Sequence, residues 1–160
     1  MKTEIMAMVL TASDSRKIGD DLSGSILVGL LLGMGASVHE RLIIEDDLDV
    51  LRQTLFSFAE RDDINLIITT GGTGFSQRDN TPEATRAVID REAPGIAEAI
   101  RRETSANAPM AMLSRGIAGI RGKTLIINLP GSPKAVKECF EVIKPVLQHA
   151  VDLLNENEQH

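Results

Sequence analysis

The stretch INLIITTGGTG, Ile64 to Gly74, decides the fold. Its first seven residues form a largely β-branched run that ends at glycines, which suits a central parallel strand buried on both faces. The glycines then read as a tight turn at the carboxyl end of that strand. In an open α/β sheet the ligand crevice lies beyond such ends. The turn therefore marks both the architecture and the place to look for chemistry.

Outward from this strand, short apolar runs alternate with segments of helical period, as βαβ units require. Glu4 to Thr11 reads as a buried strand, followed by a polar loop from Ala12 to Asp20. Leu22 to Met34 reads as a helix with Leu22, Ile26, Leu30 and Met34 down one side and Gly29 and Gly33 on another, where glycines imply tight packing on the sheet or on a neighbouring subunit. Ser37 to Ile44 reads as a second strand, and Leu48, Leu51, Leu55 and Phe58 as the stripe of a second helix. Thr81-Pro82 opens another helix, with the threonine hydroxyl as cap and proline in the first turn. Ala93 to Thr104 follows as a separate helix. Gly116 to Asn128 reads as a hairpin around Arg121-Gly122-Lys123. Ser132-Pro133 starts a last helix striped by Val136, Phe140, Ile143, Leu147 and Leu154, which Pro145 is expected to bend or split. The expected fold is one α/β domain over residues 1–160, three layers with a mostly parallel sheet and an antiparallel edge strand.

Composition narrows the function. The 160 residues carry Lys+Arg 17 against Asp+Glu 23, a net charge of −6. That balance argues against a general nucleic-acid binder, which neutralises phosphates with clustered cations. It leaves room for a small phosphorylated ligand. The single Cys139 points to a reducing compartment, and the short apolar run at the N-terminus resembles neither a signal peptide nor a membrane span. The expectation is a cytoplasmic protein without membrane or nucleic-acid partners. With no Trp or Tyr and 4 Phe, the core must be aliphatic.

Two glycine-rich turns carry the candidate chemistry. The first, Thr70-Gly71-Gly72-Thr73-Gly74, offers inward amides as an anion nest, with threonine hydroxyls as further donors. The second, Pro130-Gly131-Ser132-Pro133, stands at a helix N-terminus with free amides and a positive dipole end. Neither matches a dinucleotide fingerprint or a Walker A loop. After the first turn, Arg78 suits phosphate or carboxylate, because its fork meets two oxygens at once. Asp79 beside a phosphate nest would repel its ligand unless a cation stood between them, and Mg²⁺ is the usual mediator. Asp46 holds the corresponding place after the second strand, so both carboxylates can face one crevice. For each aspartate alone, helix capping is the competing structural role. Ser13 and Asp14, with Ser15, line the same crevice or shape their loop; Ser114 and Arg115 precede the hairpin. His39, His149 and His160 show no metal-like spacing and read as surface residues, while Cys139 reads as a small core residue.

Taken together, TTGGTG-x3-RDxTPEAT at Thr69 to Thr85, LSRGIAGIRGKTLI at Leu113 to Ile126, NLPGSPKAV at Asn128 to Val136 and D-D-L-S-G at Asp20 to Gly24 resemble the MogA/MoaB family of molybdenum-cofactor biosynthesis proteins. The resemblance spans nearly the whole chain and is closer to the MogA type, molybdopterin adenylyltransferase, because Arg78, Asp79 and Pro133 are all present. It implies a molybdopterin-binding fold and a Mg²⁺-dependent reaction in which molybdopterin and ATP give adenylylated molybdopterin and pyrophosphate. The family's essential aspartates fall on Asp46 and Asp79, both as catalytic residues and as Mg²⁺ ligands. Its pterin-binding residues fall on Thr70 to Gly74, Ser114 and Pro130 to Pro133, with Arg78, Arg115 and Lys134 offsetting further negative charge. Ser13, Asp14 and Asp20 are candidates for the nucleotide side, although Lys17-Ile18 departs from the usual first loop. The resemblance also implies a trimer and a downstream molybdate-insertion protein as partner. A non-catalytic molybdopterin carrier of the MoaB type is the alternative activity.

Overall fold

A computed structural model describes residues 2–156. The chain runs β1 (Met6–Ala12), α1 (Leu22–Gly33), β2 (Ser37–Ile44), α2 (Leu48–Ala59), β3 (Leu66–Thr70), α3 (Thr81–Val88), β4 (Arg91–Glu92), α4 (Pro94–Ser105), β5 (Ala118–Arg121), β6 (Thr124–Leu129) and α5 (Pro133–Leu154). The six strands form one sheet in the order β2-β1-β3-β6-β5-β4. The pairs β1–β2, β1–β3 and β3–β6 are parallel, whereas β5 runs antiparallel to both β6 and β4. The expected hairpin is therefore β5–β6, with β6 also serving as an interior parallel strand. The two-residue β4 had no sequence signal of its own.

Strand alternation divides the core into two layers. Ala7, Val9, Leu66, Ile68, Leu125 and Ile127 pack with α1, α4 and α5, while Met8, Leu10, Ile67 and Ile126 pack with α2 and α3. Each fully buried Leu or Ile contributes about 1.5–3 kcal/mol, so aliphatic side chains, joined by the buried ring of Phe140, fill the role of the missing Trp and Tyr.

Three expectations about the helices need correction. In α1 the inward residues are Ser23, Gly24, Leu27 and Leu31, and Leu22 is 59% exposed. The helix is apolar almost all round, so periodicity could not choose its buried face. Gly29 and Gly33 meet nothing within 4 Å, which excludes tight packing on the sheet. At α3 the threonine hydroxyl is no cap: Asn80 holds the cap position, and Thr81 Oγ1 donates to the Gly71 carbonyl at 3.0 Å. Finally, Pro145 does not split α5, which continues to Leu154. Phe140, Ile143, Leu147 and Val151 pack into the core on both sides of the proline, and that burial offsets the ladder bond proline removes.

Cys139 is buried in α5 as expected, and burial pushes its thiol up to about 12. Since the thiolate is the reactive form, native protein should react with a thiol reagent at pH 8 at least about 100-fold more slowly than urea-unfolded protein. Equal rates would contradict this burial. Segments near the two termini are clasped together at the edge where β1 begins: the Thr3 amide donates to Asp152 Oδ1 at 2.8 Å, and Gln148 Nε2 donates to the Thr3 carbonyl at 2.7 Å. No helix is long and apolar enough to cross a membrane among the described residues. His149 is exposed, His39 lies 3.7 Å from Asp63, and His160 falls outside the described residues.

Candidate active site

The loops after β1, β2, β3 and β6 meet at the carboxyl edge of the parallel strands, the position the topology assigns to a crevice. Its floor is the turn after β3. Gly71 (φ +85°) and Gly72 (φ +68°) take left-handed backbone conformations, which glycine adopts without steric cost. The turn is pressed from three sides. Arg115 N donates to the Thr73 carbonyl at 2.8 Å, Gly71 N donates to the Leu129 carbonyl at 3.1 Å, and a methyl group on Gly131 would lie 3.2 Å from Gly71 Cα. The two glycine turns expected from sequence are thus in contact.

Both nominated aspartates reach this floor. Measured from the position a side chain at Gly72 would occupy, Asp46 Oδ2 is 2.8 Å away; from the same position at Gly74, Asp79 Oδ2 is 2.8 Å away. Neither aspartate caps a helix. Asp47 caps α2 by accepting from Val50 N at 3.0 Å, and Asn80 occupies the cap position of α3. Asp46 accepts from Asn80 N at 3.1 Å, and Asp79 accepts from Ser76 N at 3.0 Å. Asp46 is 6% exposed. Burial raises its pKa above the ordinary carboxylate value, and the neighbouring charges of Asp79 and Asp14 push the same way. Ionised, this group is an expensive feature for a fold to keep without a counter-charge. A pair of carboxylates in hard-oxygen surroundings fits Mg²⁺, which takes one or two carboxylates and completes its shell with water and substrate phosphate. Among the described residues no three His, Cys, Asp or Glu side chains group as an all-protein metal cage.

The nominated cations are largely occupied. Arg78 grips Asp14 with both arms of its fork, Nε to Oδ2 at 3.0 Å and a terminal nitrogen to Oδ1 at 2.7 Å. The pairing holds the Asp14 carboxyl below its usual range. Asp14 Oδ1 also accepts from Asp46 N at 3.0 Å, so the first loop fastens the Asp46 loop to the Arg78 loop. Arg115 donates to the Gly74 and Asp79 carbonyls at 2.7 and 2.8 Å and pairs with Glu83 at 2.7 Å. It clamps the segment between the glycine turn and α3. Lys134 is exposed, 3.9 Å from Glu138.

Thr70 differs from the sequence expectation of a free donor. It is fully buried and donates to Thr11 Oγ1 at 3.3 Å, and Thr11 in turn donates to Asp21 at 2.6 Å. Asp20, a nucleotide candidate, is exposed in a short 3₁₀ turn; its neighbour Asp21 is the buried residue, capping α1 through Gly24 N at 3.0 Å. Asp21 and Asn80 were not nominated from sequence, and the Thr81 hydroxyl was read only as a helix cap. Their signal, polar residues adjoining a nominated aspartate or cap, is common to every loop. Ser13 accepts from the Arg16 amide at 3.1 Å and shapes the first loop.

On the other side of Thr73 and Gly74 opens a cavity of about 300 Å³. Ser114, Pro130, Ser132 and Cys139 contribute to its lining, with Met110 at its wall. Ser132 caps α5 by accepting from Ala135 N at 3.1 Å, and Pro133 follows in the first turn. The glycine turn is therefore a wall shared between an acidic crevice and a largely apolar cavity.

Comparison with known proteins gives the family. Residues 8–149 match the family described as "Probable molybdopterin binding domain". The chain is 42% identical over 152 residues to a molybdopterin adenylyltransferase of Helicobacter pylori, covering 91% of this chain and 85% of that protein. It is 44% identical to the molybdenum cofactor synthesis protein cinnamon of Drosophila melanogaster over 93% of this chain, but spans only 25% of that longer protein. The crystal structure of the molybdopterin biosynthesis enzyme MoaB from Thermus thermophilus superposes with a TM-score of 0.86 at 42% identity, covering 94% of this chain and 96% of that one.

Proposed function

The chain belongs to the MogA/MoaB family of molybdopterin-binding proteins of molybdenum-cofactor biosynthesis, and from that premise we propose that it is a molybdopterin adenylyltransferase. In this reaction the terminal phosphate of molybdopterin attacks the α-phosphorus of ATP, giving adenylylated molybdopterin and pyrophosphate. The observation that carries the reading is the convergence of Asp46 and Asp79, neither one capping a helix, upon the glycine turn. The nucleophile is already anionic at neutral pH, so no general base is required. A site without an activated His, Cys or Ser suits such a reaction, in which positioning and charge neutralisation supply the catalysis.

The roles then divide across the turn. The cavity bounded by Thr73, Gly74, Ser114, Pro130 and Ser132 takes the pterin. Gly72 to Gly74 present main-chain donors to phosphate oxygens, while the Gly71 amide stays bonded to the Leu129 carbonyl and Gly131 adds the close approach of the second turn. Asp46 and Asp79 would hold Mg²⁺, which when bound neutralises the phosphate charge that two carboxylates would otherwise repel. Arg78, by gripping Asp14, and Arg115, by clamping Gly74 and Asp79, keep the acidic pair in position.

A cytoplasmic trimer completes the reading. The face of α1 that carries Leu22, Gly29 and Gly33, with Leu32 beside it, lies exposed with open space before both glycines, and this supports contact with another subunit. The downstream molybdate-insertion protein is the partner that the product implies.

The test is incubation with molybdopterin, ATP and Mg²⁺, following pyrophosphate release and the adenylylated pterin. Both products should form together. Pterin binding with no pyrophosphate release would instead make the protein a carrier. With no Trp or Tyr in the chain, a bound pterin or nucleotide should dominate the near-ultraviolet spectrum of the protein.

A further inference from the structure

Three guanidinium groups border the two glycine turns, and two are already committed. Arg78 is held by both oxygens of Asp14, while Arg115 uses all three nitrogens on Gly74, Glu83 and Asp79. Arg16 differs. Among the described residues it pairs with no carboxylate, and its single side-chain contact is a 3.3 Å bond from a terminal nitrogen to the Gly131 carbonyl. That carbonyl is already well satisfied by Ser23 Oγ at 2.6 Å. A guanidinium has five N–H donors, so most of those on Arg16 remain free. Its backbone is fixed by the bond from its amide to Ser13 Oγ at 3.1 Å, two residues beyond the Asp14 that ties down Arg78. Gly131 adjoins Gly71, so the free guanidinium lies where the two turns meet.

We propose that Arg16 is a substrate phosphate-binding residue, supplying the unpaired positive charge of the crevice to a phosphate held at the mouth of the crevice where the Gly71 and Gly131 turns meet. The inference deepens the adenylyltransferase reading and rests on it for the identity of the substrate. The chemistry is shared by two sources, the polyphosphate of ATP and the phosphomonoester of molybdopterin. A carboxylate-bound arginine must break an existing ion pair before it meets a phosphate; Arg16 need break only a long bond to a carbonyl that keeps another donor. Charge-assisted bonds to phosphate are among the strongest available to a side chain.

Three variants separate charge from structure. Arg16→Lys keeps the charge, Arg16→Gln keeps a donor to Gly131 without the charge, and Arg16→Ala removes both. The readouts are the KM for ATP, the KM for molybdopterin, kcat, and the calorimetric affinity for inorganic pyrophosphate as a probe. Arg16→Gln and Arg16→Ala should raise one of the two KM values about tenfold or more and weaken pyrophosphate similarly, while Arg16→Lys stays within about threefold of the parent. The affected KM identifies the source: ATP for the polyphosphate, molybdopterin for the phosphomonoester. If Arg16→Gln behaves like the parent, or if no variant changes either KM or pyrophosphate affinity, the proposal is overturned. A parent protein that forms no adenylylated product, yet binds pyrophosphate in an Arg16-dependent way, would defeat the adenylyltransferase reading while leaving the phosphate site standing.

Discussion

Asp46→Asn should slow adenylyl transfer by about 10²–10³-fold and at the same time make the metal-free protein more resistant to heat. The first effect follows from removing one of two negative charges at the glycine floor; loss of a single preorganised electrostatic group typically lowers turnover about 10²–10³-fold. The second follows from the cost of keeping Asp46 ionised. Its pKa is raised by burial first and by Asp79 and Asp14 next. For an acid with a raised folded pKa, the folded state binds more protons than the unfolded state between the two pKa values. Stability therefore falls as pH rises from the unfolded carboxylate range through the folded pKa, and at neutral pH the ionised group weakens the fold. Asparagine relieves that cost while its oxygen still accepts from Asn80 N, the bond Asp46 makes at 3.1 Å. Adding Mg²⁺ should raise the Tm of the parent protein by mass action and leave Asp46→Asn almost unmoved. Asp79→Asn should lose activity on the same scale. Full turnover in both variants would remove the acidic pair from the mechanism, and a lower metal-free Tm in Asp46→Asn would refute the cost assigned to its buried charge.

Gly72→Ala carries the largest structural effect we expect. At φ +68° an L-residue is strained by roughly 1–2 kcal/mol. Its methyl group would also stand 2.3 Å from Thr81 Oγ1 and 2.8 Å from Asp46 Oδ2. These groups are held: Thr81 bonds the Gly71 carbonyl, and Asp46 bonds Asn80. The collision cannot be relieved by one side chain swinging away, so the turn, the start of α3 and the Asp46 loop must shift together. A total loss of about 2–4 kcal/mol is expected, with activity lost even where the protein remains folded. Gly122→Ala provides the control. Its φ is +57° with nothing within 4 Å of the added methyl, so it carries the backbone strain alone. Urea midpoints and turnover should therefore separate the two variants clearly. Equal midpoints with equal activities would show that the crowding at Gly72 has no consequence.

The residues that carried the fold in the sequence were those whose physical role is local. Ile64 to Thr70 announced an interior strand because β-branched residues without polar alternation have few other uses, and the hairpin around Gly122 followed from its turn. The face of α1 was illegible because Leu22, Ile26, Leu27, Leu30 and Leu31 leave no polar side to point outward. At the site, residue identity revealed the glycines and the two aspartates but not their partners. Arg78 looked like a phosphate ligand because nothing in the sequence ties it to Asp14, 64 residues earlier. Thr70 looked like a free donor because its partner Thr11 comes from the neighbouring strand. Pairing across the sheet decides which polar groups remain available, and that information is absent from any single segment.

The clasp of Thr3 by Asp152 and Gln148 has an architectural consequence. Because β1 begins where the parallel strands start, the described segments around Thr3 and Asp152 lie side by side at the pole opposite the glycine turns. Sequence joined beyond these segments would start from the side away from the glycine turns. The described unit is thus shaped as a cassette, its points of attachment set apart from its crevice.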